Sequence, residues 1–164
     1  GDITVLQLDL LQQRHYFDRV MAPFRLKRNA WQRFTGDRVQ FFRELAATKH
    51  GKAVYVALTI DPQIINANSN KLYTTGLAMK LSDTPLENIP ILARNWKTFD
   101  LSALEASTGN SDLNRMNGNY IMPMGLLYVK AIEEGNNAEA ELLRQKMLET
   151  AAKTGRRSEM EKFF

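Results

Sequence analysis

Ile3, Val5, Leu6, Leu8 and Leu10 form a largely apolar run broken by Thr4, Gln7 and Asp9, which predicts a mostly buried strand over residues 3–8. Leu11, Phe17, Val20 and Met21 then recur at helical spacing up to Pro23, predicting a helix over residues 10–21. Gly36-Asp37 reads as a turn and N-cap before a second helix from Arg38 to Lys49, which Gly51 stops. Ala53 to Ile60 is nearly continuous in apolar, β-branched and aromatic character and closes at Asp61-Pro62. It predicts a central strand covered on both faces, with Val54, Val56 and Leu58 on one side and Tyr55, Ala57 and Thr59 on the other. Residues 66–70 read as a polar loop. Leu72 to Leu81 reads as a short helical turn and then a strand around residues 77–81. Residues 82–118, with Pro85, Pro90, Gly109 and Gly118, read as irregular connection with at most one short helix.

The final part differs in character. Tyr120 to Glu134 predicts a helix with Leu126, Leu127, Val129 and Ile132 on its apolar side, and Pro123 fits its first turn. Gly135-Asn136-Asn137 is a tight turn. Ala138 to Lys153 predicts a partner helix with Ala140, Leu143, Met147, Leu148 and Ala151 along one side, stopped by Gly155. The spacing of Ala131, Gly135, Glu139 and Ala140 resembles one tetratricopeptide unit, with no second copy. The expected fold is therefore α/β. A small, mostly parallel sheet pairs residues 3–8 with 53–60 across a helical connection and is flanked by helices. A C-terminal αα-hairpin over 119–164 packs on the α/β domain of 1–118.

Composition narrows the chemistry. The 164 residues are 44% hydrophobic and 24% charged, a globular balance. The absence of cysteine excludes a disulfide scaffold, a thiolate zinc site and a cysteine nucleophile. No apolar stretch approaches the roughly 18 residues of a membrane span. The chain opens Gly1-Asp2-Ile3 without methionine, with a strand almost at once, so a processed product or an excised fragment is expected. His15 and His50 lack metal-motif spacing, and no phosphate loop, dinucleotide fingerprint or nucleophile elbow occurs. No cofactor or metal is implied.

Asp9 falls near the carboxyl end of the first predicted strand, where open α/β sheets place functional groups. Tyr16 and Asp18 on the following helix would share that edge, making these three the candidate surface site, against the plainer reading of capping and surface groups. The net charge of +4 gathers attention on residues 24–43, where Arg25, Lys27, Arg28 and Arg33 interleave with Phe24, Trp31 and Phe34. That mixture suits an anionic membrane surface. It suits nucleic acid less well. It also suits a helix with aromatics in the core and cations in water.

The opening, Ile3-Thr4-Val5-Leu6-Gln7-Leu8-Asp9-Leu10-Leu11 followed by Arg14-His15-Tyr16-Phe17-Asp18-Arg19, resembles a V-x-N-L-S-L-L strand and D-W-Y-I-D-Q helix start in a family of large bacterial multi-spanning membrane proteins. Lys52 to Thr59 is similar to that family's R-P-I/V-Y-F-A-V-T strand, and Leu72 to Leu81 to its L-x-x-x-G-L-A-Y-R-L segment. The terminal hairpin is similar to its helical C-terminus. The family was long of unknown function and is related to the eukaryotic transmembrane protein O-mannosyltransferase of plexin-type domains. Here Gln7-Leu8-Asp9 replaces Asn-Leu-Ser and His15 replaces tryptophan, so no role of those positions carries over.

The resemblance implies a non-catalytic, soluble extracytoplasmic domain at the periplasmic face of a bacterial inner membrane. Its parent would be glycosyltransferase-like, with the catalytic carboxylate in a loop outside this chain. The expected partners are the parent's transmembrane region, an acceptor protein and an anionic membrane surface; nucleic acid is disfavoured. The alternative is a helical-hairpin interaction module unrelated to sugar transfer. A stand-alone hydrolase lacks a visible nucleophile and base.

Overall fold

The computed structural model describes residues 10–24, 29–47, 53–101 and 111–164. They gather into two compact units, one of residues 1–54 and 61–70 and the other of 55–60 and 71–164.

In the first unit a short 3-10 turn, Leu10–Gln12, leads into helix α1, Arg14–Met21; α2, Ala30–Gly36, α3, Arg38–Ala47, and α4, Pro62–Ala67, follow. Asp37 separates α2 from α3 and accepts a hydrogen bond from Gln40 N at 2.9 Å, the N-cap its side chain favours. Asp61 caps α4 in the same way, through Gln63 N at 2.9 Å, with Pro62 at the first helical position. The Asp-Pro pair, expected to close a strand, thus begins a helix; the preceding strand, Tyr55–Ala57, ends earlier, and a turn with Ile60 N bonded to Ala57 O at 3.1 Å follows it. Arg43 donates to Ala67 O at 3.0 Å and holds α4 beside α3. The core is aromatic. Phe17, Phe34 and Phe41 meet with ring centroids 5.0–6.1 Å apart, among Leu11, Met21, Ala30 and Leu45.

The second unit contains strands β1, Tyr55–Ala57, β2, Leu72–Thr74, and β3, Ala78–Leu81. Helices α5, Ile89–Trp96, α6, Ser111–Gly118, α7, Ile121–Glu133, α8, Asn137–Lys153, and α9, Arg157–Glu161, follow. The sheet order is β1-β3-β2 and both pairings are antiparallel, with Tyr55 opposite Lys80 and Leu72 opposite Leu81. This corrects the expected α/β fold with its mostly parallel sheet. The described residues are predominantly helical, and the sheet among them is small and antiparallel, with β1 paired to β3. The predicted strand over residues 3–8 lies outside the described residues. The expected central strand is three residues long, stands at the edge of the sheet among the described residues, and alternates in burial: Val56 is 4% exposed and Tyr55 59%. A one-sided edge strand needs no second cover. The predicted helical turn after Leu72 is instead strand β2, joined to β3 by Thr75-Gly76-Leu77.

Helices α7 and α8 form the antiparallel hairpin, and both end in the same way. Gly135 and Gly155 adopt φ of 70° and 72°. Asn136 N bonds to Ala131 O at 2.9 Å and Gly135 N to Ile132 O at 3.0 Å; Arg156 N and Gly155 N repeat the pair with Ala151 O and Ala152 O. These are Schellman caps. Asn136 also opens α8, accepting from Glu139 N at 3.2 Å. Helix α5 packs on α7, and Leu92, Met124, Leu127, Leu143 and Met147 form the core of this unit. After α9, Phe164 turns back onto Tyr128 at 5.2 Å.

The inward side of α7 differs from the expected one. Pro123, Met124, Leu127 and Ala131 are buried, whereas Leu126, Val129 and Ile132 are 37%, 45% and 50% exposed. Residues 82–118 hold two helices, α5 and α6, where at most one was expected. Pro90 sits in the first turn of α5, where its missing N–H costs nothing.

Candidate functional site

Of the sequence candidates on the first unit, Tyr16, Asp18 and Arg33 fall among the described residues. Asp9, Arg25, Lys27 and Arg28 lie outside the described residues. Tyr16 and Asp18 are two positions apart on α1 and so leave it on different sides, about 200° apart around the helix. Tyr16 packs partly against the aromatic core, with Arg19 5.5 Å over its ring. Asp18 is exposed and pairs with Arg14 at 2.8 Å. Both members of that pair are more than half exposed, where such a contact contributes about 0–1 kcal/mol.

Arg33 is not an open surface cation. Its Nη2 lies 2.6 Å from Glu44 Oε2, with both side chains about a quarter exposed. Its Nε and Nη2 lack a well-directed hydrogen bond among the described residues, so the contact is an ion pair by proximity. Phe34, Phe41 and Phe42 are buried, and Trp31 is half-buried with Arg14 5.4 Å over its ring. The aromatics of this segment serve the core. His15 is exposed on α1. Among the described residues, no group of three or more His, Asp or Glu side chains is placed to hold a metal. No helix among them is long and apolar enough to cross a membrane.

The second unit offers a concave surface that sequence reasoning missed. Its two sides are α5 and the end of α7 with the start of α8. Asn88 and Asn95, seven residues apart on one side of α5, donate to Thr74 O at 2.8 Å and Thr75 O at 2.6 Å. These bonds fix α5 against the β2–β3 turn. The aromatic series Trp96, Phe99 and Tyr120, with edge-on contacts at 5.4 and 5.8 Å, fixes its other end. Held in this way, α5 and α7 flank an open groove of about 490 Å³. Ile89, Pro90 and Ala93 of α5 face Leu127 and Ala131 of α7 across its apolar floor. Glu87, Glu134 and Glu139 stand at the rim with Lys130. Lys130 is engaged with Glu133 at 3.7 Å and Glu134 at 3.3 Å. Beside the groove, Met122, Leu126, Val129 and Ile132 form an exposed apolar stripe along α7. The available sequence signals were Asn88-Ile89-Pro90, a helix opening that resembles a breaker, and the pair of glutamates ending α7.

This arrangement sets an apolar floor beside a charged rim. Comparison with family models, with curated proteins and with solved structures gives no match to this chain.

Proposed function

We propose that the chain is a non-catalytic extracytoplasmic domain of a membrane glycosyltransferase-like protein, on the periplasmic face of a bacterial inner membrane. It keeps an acceptor protein or another partner near the membrane-embedded active site of its parent. The observation that carries this reading is the pairing of two segments that resemble the same family. Residues 52–59 and 72–81 are distant in sequence, yet Tyr55–Ala57 lies directly beside Ala78–Leu81, with Val56 opposite Met79. Segments that share one sheet constrain each other's side chains, so a family-like pattern in both is what a common fold would produce.

A second reading, a helical-hairpin interaction module unrelated to sugar transfer, draws on the exposed stripe of α7. Surface apolar residues aligned in one patch mark contact surfaces more often than scattered ones do.

Cell fractionation separates the two. The tagged full-length gene product should sediment with the inner membrane and resist carbonate extraction, and protease added to spheroplasts should cleave this domain. Recovery of the product in the soluble fraction would reject the membrane reading and leave the module.

A further inference from the structure

We propose that the groove between α5 and α7 is a docking site for a cationic peptide segment that carries a large apolar side chain. This role rests on reading the chain as a partner-holding domain and adds the chemistry of the partner. The floor is apolar and the rim carries a net charge of −2, from Glu87, Glu134 and Glu139 against Lys130. The three carboxylates come from three places in the fold: the approach to α5, the end of α7 and the first turn of α8.

Helix chemistry explains only part of that rim. Glu139, in the first turn of α8, is favoured by the helix dipole. Glu133 and Glu134, at the end of α7, are opposed by it. Lys130 precedes both in the helix, the weaker order for such pairs. At Glu134 negative charge thus stands where the helix gains little from it, and local rules broken in one place are expected at functional positions. A Lys or Arg of a partner beside Glu134 relieves the conflict while its apolar neighbour fills the floor. Electrostatic complementarity of this kind sets specificity and association rate more than raw affinity.

The test uses the purified full chain and short fluorescein-labelled peptides read by anisotropy. One alternates Lys and Leu, one Glu and Leu, and one Lys and Ser. The Lys/Leu probe should bind and weaken as salt rises, because exposed charges are screened within about 10 Å at 0.1 M salt. The other two should bind roughly tenfold more weakly or not at all. Combined Glu87→Gln, Glu134→Gln and Glu139→Gln should weaken the Lys/Leu probe by roughly tenfold. All three glutamates are exposed, so a melting curve should show the fold intact. Ala93→Phe, which occupies the floor without changing charge, should weaken the same probe. Equal binding of the Glu/Leu probe, undiminished binding by the neutralised variant, or no binding of the Lys/Leu probe would overturn the assignment. So would concentration-dependent self-association lost in the neutralised variant, which would give the groove to a second copy. None of these results depends on where the parent protein resides in the cell.

Discussion

The two units distribute charge and hydrophobic surface in opposite ways. The first holds ten Lys and Arg against six Asp and Glu and so carries the whole +4 of the chain; the second holds twelve of each. Yet the basic unit turns its aromatics inward, with Phe17, Phe34 and Phe41 in mutual contact. The neutral unit leaves Met122, Leu126, Val129 and Ile132 outside. Net charge and exposed apolar surface therefore point to different units of the molecule when a binding surface is sought. A cation count describes long-range attraction, whereas an apolar groove with a rim of one sign describes a fitted partner.

The contrast can be broken first at the aromatic core. Phe34 is 1% exposed and touches two other rings, so Phe34→Ala should cost about 3–5 kcal/mol. Hydrogen exchange should rise through residues 30–47 far more than through 121–153. Protection unchanged in 30–47 would remove Phe34 from the core.

A smaller effect tests the one-sidedness of β1. Val56→Asp should cost roughly 2–4 kcal/mol by burying an unpaired charge at an edge that can fray. Tyr55→Asp, at a position 59% exposed, should stay within about 0.5 kcal/mol. Chemical denaturation of both variants checks this, and equal losses would restore the strand covered on both faces.

Smaller again is the hairpin turn. Gly135 has φ of 70° with open space where a Cβ would stand, so Gly135→Ala meets backbone strain and no clash, at about 1 kcal/mol. A melting temperature that stays level or rises would show that the Schellman cap contributes nothing.

The hairpin itself was legible because its signals are local: two glycine stops, an asparagine cap and helical spacing. The inward side of α7 was not. That helix is apolar on nearly every side, so spacing cannot choose between Leu126 and Leu127; contact with α5 and α8 chooses Leu127. Strand direction was illegible for another reason. A helix between two strands suggests a parallel crossover, but the partner of β1 is β3, supplied from beyond α4 by a segment too short to show period-2 alternation clearly. The groove was hidden because its floor and rim come from residues 87–93 and 127–139, which no motif spacing connects. The candidate trio of Asp9, Tyr16 and Asp18 assumed a sheet edge; of the two members described, Tyr16 packs inward and Asp18 pairs outward with Arg14.

Backbone amide shifts of the labelled full chain, recorded during titration with the Lys/Leu peptide, test most directly the proposal that this peptide docks on the neutral unit. The account predicts that perturbations cluster at residues 87–93 and 127–139, with those of 14–21 and 30–47 unmoved. Perturbations centred on 14–21 and 30–47 would contradict it and return the binding surface to the basic unit.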